Sequence, residues 1–309
     1  MVEALPAVSQ PELRHTAFVY SSDAEYVEAA VDFLRSGLEA GQGALVAAPR
    51  DRQALVRRAL GSVSEEVGFL DLAAVTDRPA RTLAAQYAAL YERLRRFPAV
   101  RLLVGVEPGP PQNGWLDWLG YEAALERALA AMPVWALCGY DAGRTPAPLL
   151  DAVRRGRPEL LGGARPSGPH ADLAEILREL TPPPRPLPEL RTVAAGEDPE
   201  ALRERLGEAL AAQGVGGSRA LEAVLAANEA ILNACGHGEP PVEVRLGRVG
   251  DRMVCEVVDQ GPGFDDPLIG FDPPGEPGGQ APGMWVVRQL ARKLEAFPSD
   301  AGFTVRLYL

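Results

Sequence analysis

The chain has 309 residues, 47% hydrophobic and 24% charged, with a formal net charge of −11 at pH 7. That length suits two domains, each able to bury its own core, and the composition is that of a folded globular chain. The acidic balance argues against direct nucleic-acid binding, and the chain lacks the run of about 18 apolar residues that a membrane span requires.

The opening MVEALPAVSQPELRH lacks the basic-then-apolar pattern of a secretory signal, so a cytoplasmic location is expected. HTAFVY (15–20) then reads as a strand, and 23–39 as a helix with Tyr26, Val27, Ala30, Phe33, Leu34 and Leu38 on one face. ALVAAP (44–49) predicts a second strand, with a short helix from Asp51, and VGFLDL (67–72) a third, with a helix over 80–97. VRLLVGVE (100–107) has the apolar character of a buried parallel strand; a helix at 115–131 and a strand at PVWALCGY (133–140) follow. This alternation predicts an α/β domain with a doubly wound, mostly parallel sheet. Ligands of such sheets gather at the carboxyl ends of strands, which makes Glu107, Tyr140 and Asp141 candidate lining residues.

PELLGGARPSGPH reads as a loop, 171–180 as a short helix and TPPPRPLPEL as a stiff polyproline linker. The expected organisation is a first domain over 1–180, a linker over 181–190 and a second domain over 191–309. In the second domain, Arg191–Ala195 reads as a strand, and Asp198 as the N-cap of a helix over Pro199–Gln213. Ser218 is expected to cap the helix LEAVLAANEAILNAC, which Gly236 and Gly238 end. PVEVRLGRV and RMVCEVVD alternate as an antiparallel pair; a Gly/Pro-rich loop over 261–283, a helix over 284–295 and a last strand FTVRLYL complete the chain. The expected fold is an α/β sandwich, with helices on one face of a mixed, mostly antiparallel sheet.

Cys138 and Cys255 lie in apolar runs and read as core residues, while Cys235 and His237 form a C-x-H pair, a weak metal signal. The only lysine is Lys293, so neither a Walker A loop nor the strand lysine of a eukaryotic-type protein kinase is present. GPHADLAEILREL, with His170, superficially resembles a sensor histidine kinase phosphoacceptor. The two-helix hairpin such a segment needs takes about 60 residues, and the chain has no room for it before the second domain.

Glu229 and Asn233, four apart in one helix, project from the same face. The carboxylate can accept a proton and the amide oxygen can ligate Mg²⁺, although the same spacing also occurs on ordinary solvated helix faces. Asp259 ends a strand and leads into Gly261 and Gly263, a turn where backbone can approach a ligand and a carboxylate can accept from an exocyclic amine. Gly278, Gly279, Gly283 and Met284 lead into a helix whose free N–H groups and dipole suit phosphate. Without a motif lysine, that dipole and Mg²⁺ would neutralise a triphosphate.

In this order, NEAILNACGHG, DQGPGF and GMWVVRQL resemble the three nucleotide boxes of the GHKL ATPases, in the branch of anti-sigma-factor serine kinases, over about 120 residues. The resemblance implies Glu229 as general base, Asn233 as Mg²⁺ ligand, Asp259 as the adenine-recognising residue, and Gly261, Gly263, Gly279 and Gly283 as nucleotide-loop glycines. It further implies that Thr304 supports the adenine contact and that Met284 and His237 occupy motif positions, His237 either packing the helix end or touching nucleotide. Ala281-Pro282 departs from the Gly-x-Gly-Leu usual in that branch. His15 with Tyr20, the stretch 37–43 and ALCGYDAGR (136–144) resemble the MEDS sensory domain, with Arg157 where a family histidine stands. That resemblance implies a small-molecule signal, and His15 is otherwise a structural histidine. Together the resemblances imply an anti-sigma regulator with ATP and Mg²⁺ as cofactors, homodimeric, with a sigma factor and an anti-anti-sigma protein as partners. The alternative is a non-catalytic nucleotide-binding or sigma-sequestering module.

Overall fold

The computed structural model describes residues 13–72, 78–106, 114–157, 159–161, 171–272 and 282–309. Glu107, His170, Gly278, Gly279 and Ala281 lie outside the described residues. The chain divides into two compact units between Thr181 and Pro182.

The first unit runs β1 (Arg14–Tyr20), α1 (Asp23–Glu39), β2 (Gly43–Ala48), α2 (Arg50–Leu60), β3 (Val67–Asp71), α3 (Pro79–Leu94), β4 (Val100–Val106), α4 (Trp115–Leu129), β5 (Val134–Asp141), α5 (Ala147–Gly156), β6 (Glu159–Leu160) and α6 (Leu173–Leu180). The sheet is six-stranded, in the order β3-β2-β4-β5-β1-β6, and every pairing is parallel. All six residues of β2, GALVAA, are buried, as a strand covered on both faces requires. Strand alternation sorts β1 and β5 into two chemistries. Phe18, Tyr20, Trp135 and Leu137 face α1, where Tyr26 and Phe33 wait; His15, Ala17, Ala136, Cys138 and Tyr140 face the other way. The doubly wound expectation holds. Within the stretch read as a loop, however, Glu159–Leu160 pair in parallel with β1, and helix α5 before them carries no separate signal in the sequence reading.

The second unit runs β7 (Arg191–Gly196), α7 (Pro199–Ala212), α8 (Gly217–His237), β8 (Val242–Val249), β9 (Arg252–Asp259), α9 (Pro282–Leu290), β10 (Lys293–Ser299) and β11 (Gly302–Tyr308). Its five-stranded sheet, ordered β10-β11-β9-β8-β7, is antiparallel at every pairing. Leu202, Leu206 and Leu210 of α7 and Ala223, Ala227 and Ala230 of α8 cover the face built by Val244, Cys255, Val257, Val305 and Leu307. Asp198 caps α7 as expected, accepting from the Glu200 N–H at 3.0 Å. Helix α8 differs at both ends from the expectation. Gly216, not Ser218, is its N-cap, and Gly236 lies inside it, with Gly238 at the C-cap donating to the Ala234 carbonyl.

The helix expected over 284–295 stops at Leu290, and Lys293–Ser299 form an edge strand instead. Leu294 and Ala296 alternate onto the core, while Lys293, Glu295 and Phe297 take the opposite face. On that outer face Arg245, Glu256, Arg306 and Glu295 stand side by side across β8, β9, β11 and β10, a ladder of alternating charge. Arg306 pairs with Glu256 at 2.7 Å and Glu295 at 3.1 Å. Among the described residues, no helix is long and apolar enough to cross a membrane.

Candidate functional site

Helix α8 presents Glu229 and Asn233 one turn apart, both half-buried, at the edge of the stripe that its small residues Ala226, Ala227, Ala230 and Ala234 sink into the core. The first turn of α9 lies against the carboxylate: a methyl group on Gly283 would stand 2.8 Å from Glu229 Oε2. Met284, fully buried, and Val287 anchor that turn in the core. The Arg288 side chain donates to the carbonyls of Ile269, at 2.5 Å, and Pro267, at 3.0 Å, which ties the chain before the glycine loop to α9.

Asp259 closes β9 with only 5% of its surface exposed. Strand alternation places it with Val257 and Cys255 on the helix-covered face. Its Oδ1 accepts the Gly261 N–H at 2.8 Å. A methyl on Gly238 would fall 2.3 Å from the same oxygen, so the end of α8 and the turn after β9 close around one carboxylate. Gly263 has φ +68° and would drive a methyl to 2.0 Å from Phe303 Cδ2. The structure thus brings Glu229, Asn233, Asp259, Gly261, Gly263, Gly283 and Met284 to one end of the sandwich. A side chain at Gly261 or Gly283 would press on the Asp259 or the Glu229 carboxylate, which fits a ligand approached by bare backbone. Asp259 keeps acceptor capacity beyond its turn bond, and the start of α9 offers N–H groups to an anion.

Two expected members stand apart. Thr304 pairs with Val258 and so points to the sheet face opposite Asp259, where its hydroxyl lies 3.1 Å from Ser299 Oγ. An alternating strand cannot send Thr304 and the residue opposite Phe303 to the same side. His237 ends α8 exposed, and with Cys235 it gathers no third metal-capable residue among the described residues.

The first unit holds a polar centre of its own. His15, Glu122 and Cys138 converge, each offering a ligand atom within 4.8 Å of the others, all buried. His15 Nε2 lies 3.1 Å from Cys138 Sγ. Arg157, fully buried, bridges Glu122 and Glu126. Burial, then Arg157, pushes the His15 imidazole well below its ordinary pKa. Burial raises the Cys138 thiol and Tyr140 hydroxyl, with Glu122 adding to both. Of the candidates here, His15 and Tyr140 share this face; Tyr20 points to the other, its ring 4.9 Å from that of Tyr26. Asp141, at the strand end, instead engages Arg52 at 3.3 Å. Sequence reasoning missed Glu122. Its signal is an acid on an apolar stripe, at helical spacing from Leu125 and Leu129.

A helix bearing Glu-x-x-x-Asn, a strand-end aspartate and a glycine turn against a second helix start, all over an antiparallel sheet, define an ATPase fold of the histidine kinase type. Residues 193–309 match the family model of the histidine kinase-like ATPase domain, and residues 14–156 match that of MEDS, the MEthanogen/methylotroph, DcmR Sensory domain. The chain therefore carries a MEDS sensory domain followed by a histidine kinase-like ATPase domain, a class of domain that binds ATP. No curated protein matches the chain.

Proposed function

We propose that this protein is an anti-sigma regulatory factor whose C-terminal domain binds Mg-ATP and phosphorylates a serine of an anti-anti-sigma partner. The observation that carries this reading is the packing of Gly283 onto the Glu229 carboxylate, with Asp259 buried at the neighbouring strand end. Asp259 would accept from the adenine amine, and Asn233 would hold Mg²⁺ through its amide oxygen. Gly261, Gly263, Gly283 and Met284 would form the close backbone wall. Bound Mg-ATP supplies the transferable phosphoryl group and its own charge compensation, since Lys293 is engaged with Glu295 at 2.9 Å on β10. Glu229 would take the proton of the accepting serine hydroxyl, and the α9 dipole would hold negative charge in place. A sigma factor would be bound and released against the partner protein by a homodimer. A small-molecule signal at the MEDS domain would bias that exchange through its differential affinity for the two states.

Pro282 supports a second reading. As the first residue of α9 it removes one N–H from the helix start, which favours a module that binds nucleotide or a sigma factor without transfer. The two readings separate when purified protein is incubated with labelled Mg-ATP and a candidate anti-anti-sigma protein. Phosphoserine formation that is lost in Glu229→Gln, with ATP binding retained, supports the kinase. ATP binding with no transfer by the unmodified chain overturns it and leaves the binding module.

A further inference from the structure

We propose that His15, Glu122 and Cys138 of the MEDS domain form a binding site for a divalent transition-metal ion of the zinc class. The three side chains come from β1, α4 and β5, and they offer one nitrogen, one oxygen and one sulfur within 4.8 Å of one another. A thiol and an imidazole beside a carboxylate suit a borderline or soft cation and not Mg²⁺ or Ca²⁺, which take oxygen ligands. Two further observations point to a ligand at this spot. His15 is 3% exposed and turns its Nε2 to the Cys138 sulfur at 3.1 Å, with no hydrogen-bond partner at Nδ1 among the described residues; Glu122 is fully buried beside Tyr140, and its Oε1 meets no partner at hydrogen-bond geometry. A domain interior leaves such atoms unpaired only rarely.

The surroundings fit the same assignment. Arg157 holds the other Glu122 oxygen, Oε2, so Oε1 remains the atom turned to a ligand. A metal-binding carboxylate is ordinarily fixed by an outer partner in this way. The Glu122 and Glu126 carboxylates, the Arg157 guanidinium, a Cys138 thiolate and a divalent cation together sum to zero charge, which a dry interior tolerates best. Three protein ligands fall one short of the four that a closed structural zinc site takes, so an ion held here would keep a place for an exchangeable ligand.

The test uses the full chain, stripped with a chelator and titrated with Co²⁺. The expected result is one equivalent bound, a sulfur-to-cobalt charge-transfer band, and displacement by Zn²⁺. The band should disappear in Cys138→Ser, weaken at least tenfold in affinity in Glu122→Gln, and persist in Cys235→Ser. A chain that binds neither Co²⁺ nor Zn²⁺ at micromolar metal overturns the proposal. So does a band lost only in Cys235→Ser, which would place the ion at Cys235 and His237. Should Cys138→Ser fail to fold, X-ray absorption of the zinc-loaded Cys235→Ser chain decides. One Zn–S distance of about 2.3 Å with nitrogen and oxygen at about 2.0–2.2 Å supports the site, and a shell without sulfur overturns it.

Discussion

Gly263 and Gly283 are both glycine for steric reasons, but their neighbours differ in how far they can yield. A methyl on Gly263 meets the ring of Phe303, itself packed at 4.9 Å on Phe264, and the residue sits at φ +68°. Backbone strain and an unyielding ring act together, so Gly263→Ala is expected to destabilise the ATPase domain by about 2–4 kcal/mol, read as a fall in its unfolding midpoint. At Gly283 the obstacle is Glu229 Oε2, the far end of a flexible side chain. Gly283→Ala should leave the midpoint nearly unchanged and instead weaken ATP binding and any transfer. Equilibrium binding of ATP to both variants checks the contrast. Asp259→Asn keeps the shape of the turn but removes the charge. Loss of a charge-assisted bond of about 1.5–3 kcal/mol should lower ATP affinity roughly ten- to a hundred-fold, measured by calorimetry.

At the scale of elements, the charge ladder on the outer face of the second sheet is where acid should act. Burial pushes the Glu295 carboxyl up, but Lys293, Arg306 and Tyr308 outweigh it and hold the pKa below the ordinary 4.5. A folded-state pKa depressed in this way contributes stability that is present above the unfolded value and lost as pH falls through the folded one. The ATPase domain is therefore expected to lose stability below about pH 4.5, and Glu295→Gln to flatten that limb of the pH profile. Arg306, 3% exposed between two carboxylates, is the more sensitive member. Arg306→Met alone should cost about 3–5 kcal/mol, because it leaves buried Glu256 without its closest cation.

The same strands show what a sequence can and cannot tell. Period-two alternation in RMVCEVVD and period-3.6 runs in α1 and α8 are local signals, and the elements lie where those signals predict. Lys293–Ser299 misled because Lys-Leu-Glu-Ala has good helix propensity; pairing with β11 along its whole length overrides a preference worth only tenths of a kcal/mol per residue. Glu229, Asn233 and Asp259 were legible as motif letters. The side of the sheet taken by Thr304 is also written locally, since Phe303, Val305 and Leu307 alternate with it onto the core, but the family resemblance pointed the other way. Glu122 shows in the sequence only as an acid on an apolar stripe and Arg157 only as a departure from the family pattern; their pairing, 35 residues apart in the chain, was not legible.

At the scale of the molecule, each unit has its own buried core, one around Leu34, Val46 and Leu103, the other around Leu206, Ile231 and Val257. Residues 182–309 expressed alone are therefore expected to fold and to bind ATP with the affinity of the full chain. Thermal unfolding of that fragment, with and without ATP, measures it. A ligand at a hundred times its Kd should raise stability by about 2.7 kcal/mol.

The first sheet places β1 between β5 and β6, so the first strand made finds its partners only near the end of the domain. His15 meets Cys138 across 123 residues of chain, and Arg157 reaches Glu122 from the turn after α5. On a ribosome extending the chain vectorially, β2, β3 and β4 can pair while β1 still has no neighbour. A nascent chain halted before Val134 has a strand awaiting its partner and half of a polar centre awaiting burial. Until Cys138 and Arg157 have been made, His15 and Glu122 lack the partners they meet in the folded domain.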